Sequence, residues 1–229
     1  MGDYINLIFK NVDLNKPQSL NEIVYEGVKK VIINGEIPIG ERINEKELAS
    51  RLNISRTPVR EAIKRLKAEQ LVEYIPRYGV IVKKISPEDV EEIYKIRYRL
   101  DSLASLEAMK HMTEVEYHQF YRLLEETEQL LKEGNMEKTI HLFSVFNEKI
   151  YKESKLLRLE SIVFDLREYL KRFRDISLND RLRCEKALEE HYKIIQLMEK
   201  GETKMLEKVL KDHLEYSKKF ILIELEKIS

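Results

Sequence analysis

Apolar residues recur at helical spacing from Leu20 onward. Leu20, Ile23, Val24, Val28, Val31 and Ile32 share one face, and Asn34-Gly35 supplies a stop. Residues 1–18 show no clear period and contain Pro17, which predicts a loosely ordered arm. Ile37-Pro38-Ile39-Gly40 reads as a turn. Asn44 is placed to cap a short helix running through Leu52, with Glu47 three residues on to complete a capping box. Leu48, Ala49 and Leu52 face inward from it. After a turn at Asn53-Ile54, Ser55 caps a second helix reaching to Glu69. Pro58 falls in its first turn, where a missing N–H costs nothing, and Val59, Ala62, Ile63 and Leu66 form its buried stripe. The period then shortens to two. Residues 71–75 and 80–83 predict strands flanking a hairpin tip at Pro76-Arg77-Tyr78-Gly79.

From Ser86-Pro87-Glu88-Asp89, a second capping signature, the pattern stays helical to the end. It predicts six helices over 87–110, 114–133, 136–153, 156–175, 179–200 and 203–227. The separators are short, among them Met112-Thr113, Gly134-Asn135, Ser154-Lys155 and Gly201, which favours antiparallel neighbours. The predicted fold is mainly α. A winged helix-turn-helix with a small β-hairpin covers 19–84, and an all-α antiparallel helical bundle covers 87–229.

Composition adds three points. Charged residues make up 36% of the chain, above the typical quarter, which suits long helices with solvated outer faces. The single Cys184 excludes a disulfide within the chain. No apolar run is long enough to span a bilayer, and the first ten residues lack a basic-then-apolar signal pattern, so a cytoplasmic location without membrane contact is expected. The zero net charge hides an uneven distribution. Residues 42–84 hold 11 Lys/Arg against 5 Asp/Glu, a net of +6. Residues 85–229 hold 26 against 30, a net of −4. Only the first segment has the local positive charge that phosphates require.

A helix-turn-helix reads DNA by laying its second helix in the major groove, N-terminal residues toward the base edges. Here that helix begins Ser55-Arg56-Thr57-Pro58-Val59-Arg60. Arg56 and Arg60 are four apart and project from one face, and Arg pairs bidentately with guanine O6 and N7. Ser55 and Thr57, with the free N–H groups of the helix start, suit phosphate contact. Lys64, Arg65 and Lys67 are placed to reach the backbone, and Arg77, Tyr78 and Gly79 at the wing tip to approach a minor groove or phosphate. A basic amphipathic helix alone would be an ordinary surface feature. The ordered set of short helix, tight turn, Arg-flanked helix start and basic hairpin is far more specific.

Read through as I-x-G-E-I-P-I-G-E-R-I-N-E-K-E-L-A-x-R-L-N-I-S-R-T-P-V-R-E-A-I-K-R-L and then L-V-E-Y-I-P-R-Y-G-V-I-V, residues 33–82 resemble the DNA-binding domain of the GntR family. The resemblance implies DNA-contact positions at Lys46, Ser55, Arg56, Thr57, Arg60 and Gly79. Gln70 stands where that family usually has Gly. The second region resembles the helical effector domain of the FadR-type branch (FCD), through residues 93–101, 146–154, Glu190-His191 and His213; six helices suit its smaller, VanR-like subgroup. That resemblance implies regulation of DNA binding by a small effector, of carboxylate type. It also implies a divalent metal of the zinc or nickel type, held by an Asp and a His four apart on the third bundle helix and one His on each of the last two. His191 and His213 match the last two positions. They lie 10 residues before and 12 after Gly201, so a turn there would bring them to equal depth. The third helix departs from the pattern, with Phe143 where Asp is expected and Asn147 where His is expected. Asn can lend a carbonyl oxygen but is a poor transition-metal ligand.

Three readings of His191 and His213 therefore stand: metal ligands with Asn147 as a third, donors in a metal-free pocket, or ordinary core histidines. Arg97, beside Ile93, Ile96 and Leu100, is placed either to hold an anionic effector or to pair with a bundle carboxylate. His111, His118 and His141 read as surface residues. Tyr94, Tyr98, Phe143, Phe146, Tyr169, Phe173 and Tyr192 line a pocket or simply fill a core.

No phosphate loop, nucleophile elbow or HExxH helix is present, so an enzyme is not expected. An all-helical metal-dependent hydrolase and a ligand-free architectural DNA binder are the alternatives. The expected protein is a DNA-binding transcription regulator, a repressor by resemblance. Its expected partners are a pseudo-palindromic double-stranded operator, a second copy in a two-fold homodimer and a small-molecule effector.

Overall fold

The computed structural model of the chain describes residues 4–13, 17–170 and 180–228. It divides into two compact units, Met1–Ile85 and Ser86–Ser229.

The first unit holds α1 (Tyr4–Asn11), α2 (Leu20–Ile33), β1 (Arg42–Ile43), α3 (Glu45–Arg51), α4 (Arg56–Ala68), β2 (Val72–Ile75) and β3 (Gly79–Val82). The strands form one antiparallel sheet in the order β1-β3-β2, with Tyr74 opposite Val80 and Ile43 also opposite Val80. The expected hairpin is present, and a third strand joins it. At two residues, β1 is too short to carry a period of its own. Asn44 caps α3 by accepting from the backbone N–H groups of Lys46 and Glu47. The residues between α3 and α4, with Asn53 at φ 52°, form the tight turn the spacing required.

The arm departs from expectation. Residues 4–11 form a helix, and Tyr4, Ile5 and Ile8 are buried as α1 packs on α2 and α3. Three apolar residues supply too little period to be read, but they suffice to dock one turn onto a neighbour. Gly27, in the middle of α2, makes room: a Cβ there would run into the Val12 side chain and the Asn11 carbonyl.

The second unit contains α5 (Pro87–Ala108), α6 (Glu114–Lys132), α7 (Met136–Glu153), α8 (Leu157–Tyr169), α9 (Arg181–Glu199) and α10 (Thr203–Ile228). The expected limits at 175 and 179, and Phe173, lie outside the described residues. Ser86 and Asp89 close a reciprocal capping box at the start of α5, with Pro87 in the first turn. Thr113 and Glu116 repeat it at α6. α5 packs on α7, α8 and α10, and α9 packs on α6, α7 and α10. Phe120 and Phe146 meet edge to face at 5.5 Å in a core shared with Leu124, Val163, Ile195 and Leu206.

Gln70 follows α4 with φ 60°, the left-handed conformation that glycine adopts freely after a helix. The helix end therefore keeps the shape a glycine would give, at the cost of crowding a side chain into it. A single exposed hydrogen bond from Lys83 Nζ to Gln70 Oε1, 3.0 Å, offsets little of that cost. Gln70→Gly should raise the unfolding free energy by about 0.5–1 kcal/mol. Urea denaturation checks this, and a lower midpoint would refute it.

Candidate functional site

Two surfaces gather the residues singled out by sequence. The first lies on α3, α4 and the hairpin. Lys46, Ser55, Arg56, Thr57 and Arg60 are all exposed. Ser55 takes the N-cap position of α4 with extended backbone, yet its hydroxyl makes no capping hydrogen bond and no acidic residue occupies the first turn. The helix start thus presents open N–H groups and a free hydroxyl to an anion. Arg60 is drawn toward Glu45 at 3.5 Å but remains well exposed. At the wing tip, Tyr78 N–H donates to the Ile75 carbonyl, closing a tight turn in which Arg77 has φ 67°. An arginine in a conformation that favours Gly or Asn is strained, and strain of this kind collects at functional positions. Gly79, φ 105°, follows it, with the Arg42 guanidinium lying where a Cβ would point.

Arg65 pairs with Glu22 at 2.5 Å and stacks on Tyr25 at 3.6 Å, so it fastens α4 to α2 while about half of its side chain stays exposed. Lys64 and Lys67 remain exposed.

The second surface is a cavity inside the bundle, enclosing about 530 Å³ including its open mouth. Arg97, Asn147, His191 and His213 all line it, with Tyr94 and Phe143. The rings of His191 and His213 lie 5.2 Å apart, so the turn at Gly201 does bring them level. Phe146 stacks on His191 at 4.1 Å and Phe143 meets its edge. Tyr98 and Tyr192 are half-buried and do not line the cavity; Tyr169 lies half-buried on α8, its hydroxyl without a partner among the described residues. His111, His118 and His141 are exposed.

Arg97 is buried and donates from Nη2 to Asp101 at 3.0 Å, while Tyr151 donates to the other Asp101 oxygen at 2.9 Å. Of the two readings of Arg97, the carboxylate pair is present. Burial opposes its charge, but Asp101 outweighs burial and holds the guanidinium firmly protonated. Two more arginines enter the cavity unforeseen, Arg167 from α8 and Arg183 from α9, both buried. Arg183 could have been found. Residues 183, 187 and 191 lie four apart on one helix face, the face that His191 already marked. Arg183 Nη2 donates to Ser217 at 2.6 Å. Glu190 accepts from or donates to His213 Nδ1 at 2.6 Å, depending on the proton, and stands 4.0 Å from Arg183 Nη1. Burial pushes the Glu190 carboxyl up, but His213 and Arg183 together leave it below the usual carboxylate range.

These residues do not fit a divalent cation. Phe143 offers no donor. The Asn147 amide N–H donates to the Phe143 carbonyl at 2.7 Å, a bond within its own helix. Among the described residues no three His, Cys, Asp or Glu converge as a ligand set. Three guanidiniums line the same wall and would repel a metal ion.

Comparison with known proteins assigns a family domain to each unit. Residues 20–82 match the family described as "Bacterial regulatory proteins, gntR family", and residues 92–216 match the FCD domain. The Bacillus subtilis HTH-type transcriptional regulator YdhC is 32% identical over 188 residues, 82% of this chain and 84% of that protein. The chain belongs to the GntR family. The Escherichia coli HTH-type transcriptional repressor RspR is 25% identical over 202 residues, 88% of this chain and 89% of its own. The solved structure of Escherichia coli McbR/YncC superposes with TM-score 0.68 at 22% identity, covering 90% of this chain and 99% of that one, which shows a shared fold. GntR-family members are transcription regulators, and the FCD domain is the family's effector-binding domain. No helix among the described residues is long and apolar enough to cross a membrane.

Burial, then the nearby positive charge of His213, Arg183 and Arg167, pushes the His191 imidazole well below its ordinary 6.5. His191 therefore stays neutral in the folded protein at pH values where it is protonated in the unfolded chain. The sign follows: stability is full above pH 6.5 and falls as the pH drops below it, until the folded-state value is reached. His191→Phe should flatten the stability-against-pH curve below pH 6.5 by up to about 1.4 kcal/mol per pH unit. Urea titrations at three pH values between 7.5 and 5.5 read this out; parallel curves for the two proteins would refute it.

Proposed function

We propose that this GntR-family regulator is a repressor that binds a pseudo-palindromic operator as a two-fold homodimer and releases it when a small carboxylate enters the bundle cavity. The observation that carries the reading is the exposed Arg56 at the open N-terminus of α4, without an ion pair among the described residues, with Arg60 one turn on; Lys46 on α3 and the strained Arg77 at the wing tip are exposed as well. Arg56 and Arg60 read guanine edges. Ser55, Thr57 and Lys46 hold phosphates, and Arg77 and Gly79 bring the wing to the neighbouring groove. A two-fold pair of such units makes the site a pseudo-palindrome. The name of RspR supports repression. The effector, on this reading, meets Arg97, Asn147, His191 and His213. The polar, cation-lined interior of the cavity suits a carboxylate.

Operator sequences come from selecting bound duplexes out of a random pool with the full-length protein. Arg56→Ala and Arg60→Ala should each cost about 1–3 kcal/mol of binding to the selected site, with specificity relaxed at the contacted base pair. Lys46→Ala should weaken all duplexes alike and lower the slope of log affinity against log salt by about 1. Two arginine variants that bind the selected site as tightly as the unaltered protein would remove α4 as the reading helix.

A further inference from the structure

We propose that the bundle cavity is a metal-independent site for a small carboxylate, held chiefly by Arg183 with Arg167 as the second cation, while Arg97 frames the wall. The inference rests on the regulator reading above and names the chemistry of its effector site.

Arg183 is the group with unspent capacity. Only 3% of it is exposed, and Nε and Nη1 have no hydrogen-bond acceptor among the described residues. Its one short bond goes to a neutral hydroxyl, Ser217. The carboxylate within reach, Glu190, is 4.0 Å away and engaged by His213 at 2.6 Å. Tyr216 and Phe220 lie 4.8 and 5.7 Å from the guanidinium, stabilising its charge without using its N–H groups. A buried cation left this short of acceptors is costly, and a bound carboxylate supplies what is missing. Arg167 repeats the case more mildly. It is 6% exposed, and its nearest carboxylate oxygen, on the solvent-exposed Glu148, is 3.7 Å away. Arg97 is different, because Asp101 meets its charge at 3.0 Å and Tyr151 completes Asp101.

Arg97, Arg167 and Arg183 outnumber the carboxylates Asp101 and Glu190 on this wall, an excess of positive charge that a bound anion offsets. His191 adds a hydrogen-bonding atom, Nδ1, buried and without a partner among the described residues. It can serve a second polar group on the ligand without adding charge.

The test is thermal melting of the full-length protein at constant ionic strength, with chloride exchanged for acetate or inorganic phosphate. Each series is run with EDTA and with added zinc or nickel. Acetate should raise the midpoint by about 4 °C at ten times its dissociation constant, equally with and without EDTA. Arg183→Met should melt at or above the unaltered protein without acetate, since it removes a poorly compensated buried charge, and should lose the acetate shift. Arg183→Lys keeps the charge but not the planar donors, and should weaken acetate at least tenfold by its dissociation constant. If the Met variant does not fold, the Lys variant decides. Four results overturn the proposal: no acetate shift, a shift that needs added metal, a larger shift with phosphate, or an unchanged acetate dissociation constant in Arg183→Lys. Operator binding measured beside it separates the two readings. An overturned Arg183 role with Arg56-dependent operator binding intact leaves the regulator standing; operator binding that ignores Arg56 removes the DNA reading whatever acetate does.

Discussion

Asp101 is the group on which the order of the bundle interior rests. It is a buried carboxylate on α5 that accepts from Arg97 on its own helix and from Tyr151 on α7. Without it, three guanidiniums would face one another across a poorly solvated space, an arrangement that costs several kcal/mol per uncompensated charge. With it, one of the three is neutralised and fixed in the wall. Burial and the Asp101 charge both push the Tyr151 hydroxyl upward, so it remains a donor at any ordinary pH. The same contact ties α5 to α7.

The DNA-binding unit solves a related problem. A reading helix must be held firmly at one end and left bare at the other. Tyr25, Lys29, Glu22, Glu69 and Arg65 form the firm end: Tyr25 donates to Glu69 at 2.6 Å, Lys29 pairs with Glu69 at 2.8 Å, and Arg65 pairs with Glu22 over the Tyr25 ring. That network consumes one of the basic residues of α4 and joins its C-terminal half to α2. The other end has Ser55 without a side-chain cap bond and an exposed Arg56 with no ion pair among the described residues. Both Gln70 after α4 and Arg77 at the wing take left-handed backbone that a glycine would adopt more cheaply. Gln70 gains only an exposed hydrogen bond in return. At Arg77 the strain places a cation at the tip of the hairpin.

Much of the DNA-binding unit was legible because its elements are local. Capping at Asn44, the proline in the first turn of α4 and the switch from helical to strand period all depend on neighbours within a few residues. α1 was not legible, since its docking depends on Val12 approaching Gly27, fifteen residues further along the chain. In the bundle, His191 and His213 were found by counting from Gly201, a local measure that survives folding. Arg183 was passed over although it shares a helix face with His191, because an arginine on a charged helix resembles any solvated residue. Its burial follows from α10 supplying Ser217, Tyr216 and Phe220 on the far side, and no spacing within α9 reports that. Arg97 lay between two readings for the same reason. The partner, Asp101, was one turn away in sequence, but only the packing of Tyr151 shows which way both side chains turn.

Arg183 also indicates how occupancy of the cavity can reach beyond it. It stands on α9 and is tied to α10 through Ser217, while Glu190 on α9 is tied to α10 through His213. Both of these hydrogen-bonded links therefore involve groups whose electrostatic surroundings an anion would change. A carboxylate on Arg183 competes with Ser217 and Glu190 for the same guanidinium, and so alters the α9–α10 contact. α10 packs along α5, where Lys218 pairs with Glu91 at 3.1 Å in the second turn. α5 begins at Pro87, next in the chain to the segment that leaves β3. A ligand shifts such an equilibrium only by the difference in its affinity for two arrangements. The unspent N–H groups of Arg183 are where that difference arises, because they have no acceptor in the present arrangement and would gain one on binding.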